Sequence, residues 1–297
     1  MNKGIFFTAL SATLYGCIGY FWFQLKASGM SVLDLCFWRF LASAALLVPF
    51  LLQSFVKKPR WQSLLYTFVL GGVFYGSSTL CYFMASESLG TGLAMVIFFT
   101  YPIYVVLISS VIARTLPNRV TWLALVLICT GCFLIAYEKN MHFDARGVGL
   151  AFLSALGYGI YVAFSKKTSR SLSPLVGTFV VCLGNSMLFL LMIPLLQEEG
   201  FSLPSSAWTW LNVGLFAIVG TILPVLFLLI GMKYISADRA AILSVLEPVT
   251  VLAVGLLVLG EVFSVRQFIG ALIILASALL ISIKKDDTMS LASCSPG

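Results

Sequence analysis

Apolar residues fill this chain in ten stretches of roughly 20 residues each, the length a helix needs to cross a bilayer core of ~30 Å. The stretches cover about 4–25, 33–55, 62–86, 91–113 and 120–137, then 147–166, 174–196, 208–232, 240–259 and 265–283. Polar residues gather in short joints between them, the longest around Asn140 and Glu198. The pattern predicts ten spanning helices and no domain outside the membrane. Helices are the expected element because a helix satisfies its own backbone hydrogen bonds where water cannot.

The same pattern repeats. Leu10-Ser-Ala-Thr-Leu-Tyr15-Gly16 returns 143 positions later as Leu153-Ser-Ala-Leu-Gly-Tyr158-Gly159. A second block pairs Ala94 with Ala240, Pro102 with Pro248, Val105 with Val251, Ile128 with Ile274, Leu134 with Leu280 and Ile135 with Ile281, at an offset of 146. A fixed offset of this kind marks a duplicated unit. The halves run over 3–137 and 147–283, and 284–297 forms a tail. Five spans per half is an odd number, so the second half enters the membrane from the opposite side. The expected architecture is all-α and integral to the membrane, with ten transmembrane helices as two inverted five-helix repeats. Transporters with such halves place their site at the interface of the repeats.

Charge orients the chain. With the N-terminus in the cytoplasm, thirteen Lys and Arg side chains face inward: Lys3, Lys57, Lys58, Arg60, Arg114, Arg119, Lys166, Lys167, Arg170, Lys233, Arg239, Lys284 and Lys285. Only Lys26, Lys139, Arg146 and Arg266 face outward. The bias favours both termini inside, in the cytoplasmic (inner) membrane of a bacterium. The composition, 60% apolar and 10% charged, requires a lipid surround. The net charge of +7 belongs to these orienting loops and does not point to nucleic acid. The first apolar stretch runs to Leu25, too long for a signal core, and reads as a retained helix. Cys129-Thr-Gly-Cys132 has redox spacing but lies in a lipid-embedded segment, where small cysteines pack helices.

Charged groups inside spans are costly and are therefore candidates for function. Arg39 lies ~9 Å below the outer end of its span, and Glu247 ~11 Å from the inner end of its own. Their heights differ by roughly 10 Å, so a direct pair requires tilt or reach. Glu247 either faces an internal cavity, where it meets a cationic solute or carries a proton, or fixes helix packing by accepting hydrogen bonds. Arg39 reads as structural or interfacial, snorkelling outward beside Trp38. Pro102 and Pro248 hold equivalent places and each removes a helix hydrogen bond, which makes a kink or a cavity-lining break. Tyr15, Trp22, Ser77, Ser78, Tyr101, Tyr158, Tyr161 and Asn185 are the other candidates for lining a substrate site. Their polar atoms need partners in lipid. Gly72-Val-Phe-Tyr-Gly76 has a spacing that lets helices approach closely.

No G-x-x-x-x-G-K-[ST] phosphate loop is present, and the single histidine, His142, falls in a predicted outer loop. Neither ATP-driven pumping nor zinc hydrolysis is expected, and no cofactor or metal is called for.

Phe37-Trp-Arg39-Phe40-Leu41 and Gly92-Leu-Ala94 leading to Pro102 resemble the first half of the EamA branch of the drug/metabolite transporter superfamily. Ala240-Ala-Ile-Leu-Ser-Val-Leu-Glu247-Pro248, Leu259-Gly260-Glu261 and Gln267-Phe-Ile-Gly270 resemble its ninth and tenth spans. Ala113-Arg114-Thr115 departs from the family, which often carries a Leu-Gly-Glu equivalent there. The resemblance implies ten helices, a central cavity and passage of small metabolites such as amino acids. The expected function is secondary transport, by alternating access, of a small polar metabolite, with export of an amino acid leading. The alternatives are uptake of a nucleotide-like or cofactor metabolite and, in another class, a membrane enzyme or lipid-binding protein. Partners are a small-molecule substrate and the lipid bilayer.

Overall fold

The computed structural model describes residues 3–54, 59–137, 144–196, 202–258 and 264–283, and every regular element among them is helical. The first span is α1 (Lys3–Tyr15) and α2 (Ile18–Ala27), broken at Gly16-Cys17. The second is α3 (Val32–Ser54). The third joins α4 (Trp61–Val69) to α5 (Ser77–Leu89) through a π-helical segment, Leu70–Gly76. The fourth is α6 (Thr91–Phe98) and α7 (Tyr101–Ala113). A shorter apolar helix, α8 (Arg119–Ala136), closes the first half.

The second half follows the same order. Its first two spans are α9 (Ala145–Ser171) and α10 (Pro174–Leu196). Next, α11 (Ala207–Ala217) meets α12 (Leu223–Tyr234) across a second π segment, Ile218–Ile222. Then α13 (Ala237–Leu243) leads through a 3₁₀ turn, Ser244–Leu246, to α14 (Glu247–Val258), and α15 (Val265–Ile283) ends the fold. Nine segments among the described residues are long and apolar enough to cross a membrane.

Local chemistry explains the ends and the breaks. Asn118, Asp144 and Ser206 each cap the helix that follows, accepting from the backbone N–H of Thr121, Gly147 and Thr209. Pro102 and Pro248 cannot donate to the carbonyl four residues earlier, so the helix is interrupted at Phe99-Thr100 and at Ser244–Leu246. The expected loop at Lys166, Lys167 and Arg170 is instead helix. Nothing breaks α9 before Leu172, and Pro174 then opens α10. Lys166 turns back and donates from Nζ to the carbonyls of Met232 and Ile235 (2.7 Å to Ile235), capping the end of α12.

Large apolar side chains point outward: Val111 is 77% and Leu257 81% exposed. That surface belongs in hydrocarbon. Burying apolar area from lipid gains little, so packing depends on small residues and interhelical hydrogen bonds. The most extensive helix contacts are those of α15 with α8, α10 with α3, α1 with α12, and α5 with α9. The repeated motif supplies two matching sets of contacts. Ser11 donates to the carbonyl of Pro224 at 2.7 Å, and Ser154 to that of Ser78 at 2.8 Å. A Cβ on Gly16 would lie 2.5 Å from Cβ of Thr250 and 3.0 Å from the Glu247 carbonyl. One on Gly159 would lie 2.8 Å from Cβ of Tyr104 and 3.3 Å from the Tyr101 carbonyl. Gly72 sits against the Gly184 carbonyl, 2.7 Å from where its Cβ would stand, so the glycine spacing in the third span serves a helix contact.

Candidate functional site

Five tyrosines meet at the centre. Tyr15 ends α1, Tyr75 lies in the first π segment, Tyr101 opens α7, and Tyr158 and Tyr161 sit one turn apart on α9. Tyr75 stacks on Tyr161 with ring centroids 4.8 Å apart and lies 5.7 Å from Tyr158. Tyr101 meets Tyr158 edge-on at 4.8 Å. Phe98, at the end of α6, closes one side at 5.3 Å from Tyr158 and 5.4 Å from Tyr101. The hydroxyls of Tyr15 and Tyr75 share a hydrogen bond of 3.4 Å, and Tyr101 donates to the Ala241 carbonyl at 3.3 Å. The Tyr161 hydroxyl is buried with no hydrogen-bond partner among the described residues.

The cluster exists because both halves contribute elements to it. Glycines bring α1 and α9 close to the broken spans α13–α14 and α6–α7, and proline breaks allow Tyr101 and Glu247 to open new helices at that depth. The π segment bulges Tyr75 inward. An extra residue in a helix turn is a common device at functional sites.

Arg39 corrects the sequence expectation. It does not snorkel to the interface: it is 2% exposed and turned into the protein. Its Nε donates to Oγ1 of Thr221 at 2.5 Å, and its Nη2 to the Gly220 carbonyl at 2.8 Å and to the Tyr75 hydroxyl at 3.5 Å. The guanidinium also lies over the rings of Phe216 and Phe40, at 4.5 and 4.9 Å. The protein interior supplies enough acceptors and ring faces to hold the charge inside. Gly220 and Thr221 belong to the second π segment and Tyr75 to the first, so one cation ties the two together.

Glu247 is half-buried at the start of α14. Its carboxylate makes no hydrogen bond or ion pair with any described residue, yet it lies within electrostatic range of Arg39, Tyr82, Tyr101 and Tyr158. Arg39 and Glu247 therefore form no direct pair. They flank the tyrosines as separate charges of opposite sign.

The other sequence candidates divide. Trp22 stacks on Phe83 at 4.1 Å beside the cluster. Ser77 turns back to the Val73 carbonyl of its own helix and joins no cluster. Ser78 pairs with Ser154 and holds α5 to α9. Asn185 is buried and donates to the carbonyls of Val181 and Gly71, at 2.8 and 3.2 Å, which seals α10 to the first π segment. Pro102 and Pro248 sit at their helix breaks. Glu261 and His142 lie outside the described residues. Tyr75 and Thr221 escaped the sequence reading. Tyr75 was hidden inside the glycine spacing, although a phenol in an apolar span needs a partner just as Tyr15 does.

Among the described residues no group of three or more His, Cys, Asp or Glu could hold a metal ion. The arrangement brings aromatic faces, hydroxyls, one cation and one carboxylate together inside the protein. Among its described residues no nucleophile is hydrogen-bonded to a base.

Comparison with known proteins identifies the family. The profile of the EamA-like transporter family matches residues 2–137 and 145–283. An uncharacterized transporter of Archaeoglobus fulgidus is 28% identical over 282 residues, which cover 94% of this chain and 96% of the relative. The uncharacterized inner membrane transporter YicL of Salmonella typhimurium is 26% identical, with 95% and 96% covered. The threonine/homoserine exporter RhtA of Escherichia coli is 24% identical over 237 residues, covering 78% of this chain and 75% of RhtA. A solved crystal structure shares the fold, with a TM-score of 0.78 at 17% identity over 95% of this chain and 99% of its own. With both halves matched, the chain is a multi-pass membrane protein that belongs to the EamA-like transporter family.

Proposed function

We propose that the chain is a secondary transporter that exports a small polar metabolite of the amino-acid class by alternating access. In this reading its ten helices form two inverted five-helix repeats, with both termini in the cytoplasm. The observation that carries it is the central tyrosine cluster, built from both halves and flanked by a carboxylate that pairs with no described residue. A solute held there lies at the joint of two similar units, where exchanging their conformations opens one face and closes the other. The parallel contacts that Ser11 and Ser154 make with Pro224 and Ser78, and the close approaches at Gly16 and Gly159, support the duplication. The loop charge bias supports the orientation. The name of the relative RhtA supports the substrate class.

Glu247 is the proton-coupling candidate. A carboxylate with no hydrogen-bond or ion-pair partner among the described residues is available to a proton or to a substrate ammonium group. The test is counterflow in proteoliposomes. Full-length protein loaded with unlabelled L-threonine, and with each other amino acid in turn, is expected to take up the labelled compound intact and saturably. Glu247→Gln is expected to lower the flux about tenfold or more, the scale of one lost charged hydrogen bond, and to flatten its pH dependence. An unchanged flux with an unchanged pH profile removes Glu247 from the mechanism. Recovery of a chemically altered product removes the transport reading.

A further inference from the structure

We propose that Arg39 is the anion-recognising residue of the central site and takes the carboxylate of the substrate, while Glu247 faces its ammonium group. This rests on the transport reading above and extends it to the chemical class that the site selects.

Three observations carry the assignment. First, Arg39 is buried with no ion pair to any described residue: its hydrogen-bond acceptors are a hydroxyl, a carbonyl and a phenol, all neutral. A buried cation paired only with neutral groups is held at a cost that an arriving anion relieves. Second, its bonds use Nε and Nη2 only. Nη1 makes no hydrogen bond with a described residue, and the rings of Phe40 and Phe216 line the guanidinium. The N–H groups of Nη1 are left to donate to an anion, and a guanidinium suits a carboxylate in charge and in donor chemistry. Third, Arg39 reaches the cluster directly. Tyr75 accepts from Arg39, shares a hydrogen bond with Tyr15 and stacks on Tyr161.

Position adds a further constraint. Arg39 and Glu247 make no ion pair, yet Arg39 acts electrostatically on Glu247. A substrate bearing both charges bridges such a gap, with one charged contact at each end. Neither a neutral sugar nor a simple amine satisfies both ends.

The experiment is counterflow by full-length protein with matched pairs, each an L-amino acid and its carboxamide, beginning with L-threonine and L-threoninamide. In the wild type the acid is expected to be preferred about ten- to a hundredfold. Arg39→Gln is expected to bring the acid-to-amide ratio close to one, and Arg39→Lys to retain part of the preference. A preference that persists in Arg39→Gln overturns the assignment, as does a wild type that prefers the amide. Should Arg39→Gln not fold, the ratio in Arg39→Lys decides: a ratio below that of wild type supports the site, and an equal ratio overturns it. Failure of every pair in folded wild-type protein overturns the transport reading and the carboxylate site with it. Failure of the preference alone overturns only Arg39.

Discussion

At the scale of single residues, the repeated Leu-Ser-Ala…Tyr-Gly motif is explained by what each member touches. The serines hold the third span of the opposite half, the glycines allow broken spans to approach, and the tyrosines enter the cluster. Gly16 therefore has no room for a side chain. Gly16→Ala is expected to destabilise the protein by about 1–3 kcal/mol, the usual cost of overpacking, seen as a lower Tm in detergent. Adding Thr250→Gly removes the 2.5 Å contact and is expected to restore much of the loss. Legibility at this scale followed chemistry. Tyr15, Tyr101, Tyr158 and Tyr161 were visible because polar atoms in lipid need partners. Tyr75 was overlooked because a glycine spacing accounted for its neighbourhood. The position of Arg39 was misread because snorkelling depends only on depth, whereas turning inward depends on acceptors from the distant residues Gly220, Thr221 and Tyr75.

At the scale of elements, helices were legible from apolar runs and their breaks at Pro102 and Pro248 from ring chemistry. The π segments were not. A surplus residue leaves no mark on hydrophobic periodicity when nearly every position is apolar. Leu70–Gly76 joins α4 to α5 and Ile218–Ile222 joins α11 to α12, and each supplies a partner to Arg39. Deleting Val73, which faces outward, is expected to convert the first segment to plain α-helix while α4 and α5 keep their directions. The variant is expected to elute as a single folded species with a Tm at least equal to that of wild type. Its counterflow is expected to be lost, because Tyr75 no longer bulges toward Arg39.

At the scale of the whole molecule, the distribution of Lys and Arg predicts which face is cytoplasmic, and thiol labelling checks it. Ser28→Cys, between the first two spans, is expected to react with an impermeant maleimide in intact cells. Thr115→Cys, between α7 and α8, is expected to react only after permeabilisation. The opposite result overturns the orientation. The two π segments also bear on how such a molecule moves. Each is a helix wound with slack, and slack can travel. If it shifts past one residue, that residue swings about 100° around the axis while the helix on either side stays intact. Tyr75 and Gly220 both lie within reach of such a shift and both hold Arg39. An anion that occupies Arg39 weakens its grip on both strands of slack at once. The cargo would thereby release the catch that keeps the halves in step, and an empty carrier would stay locked.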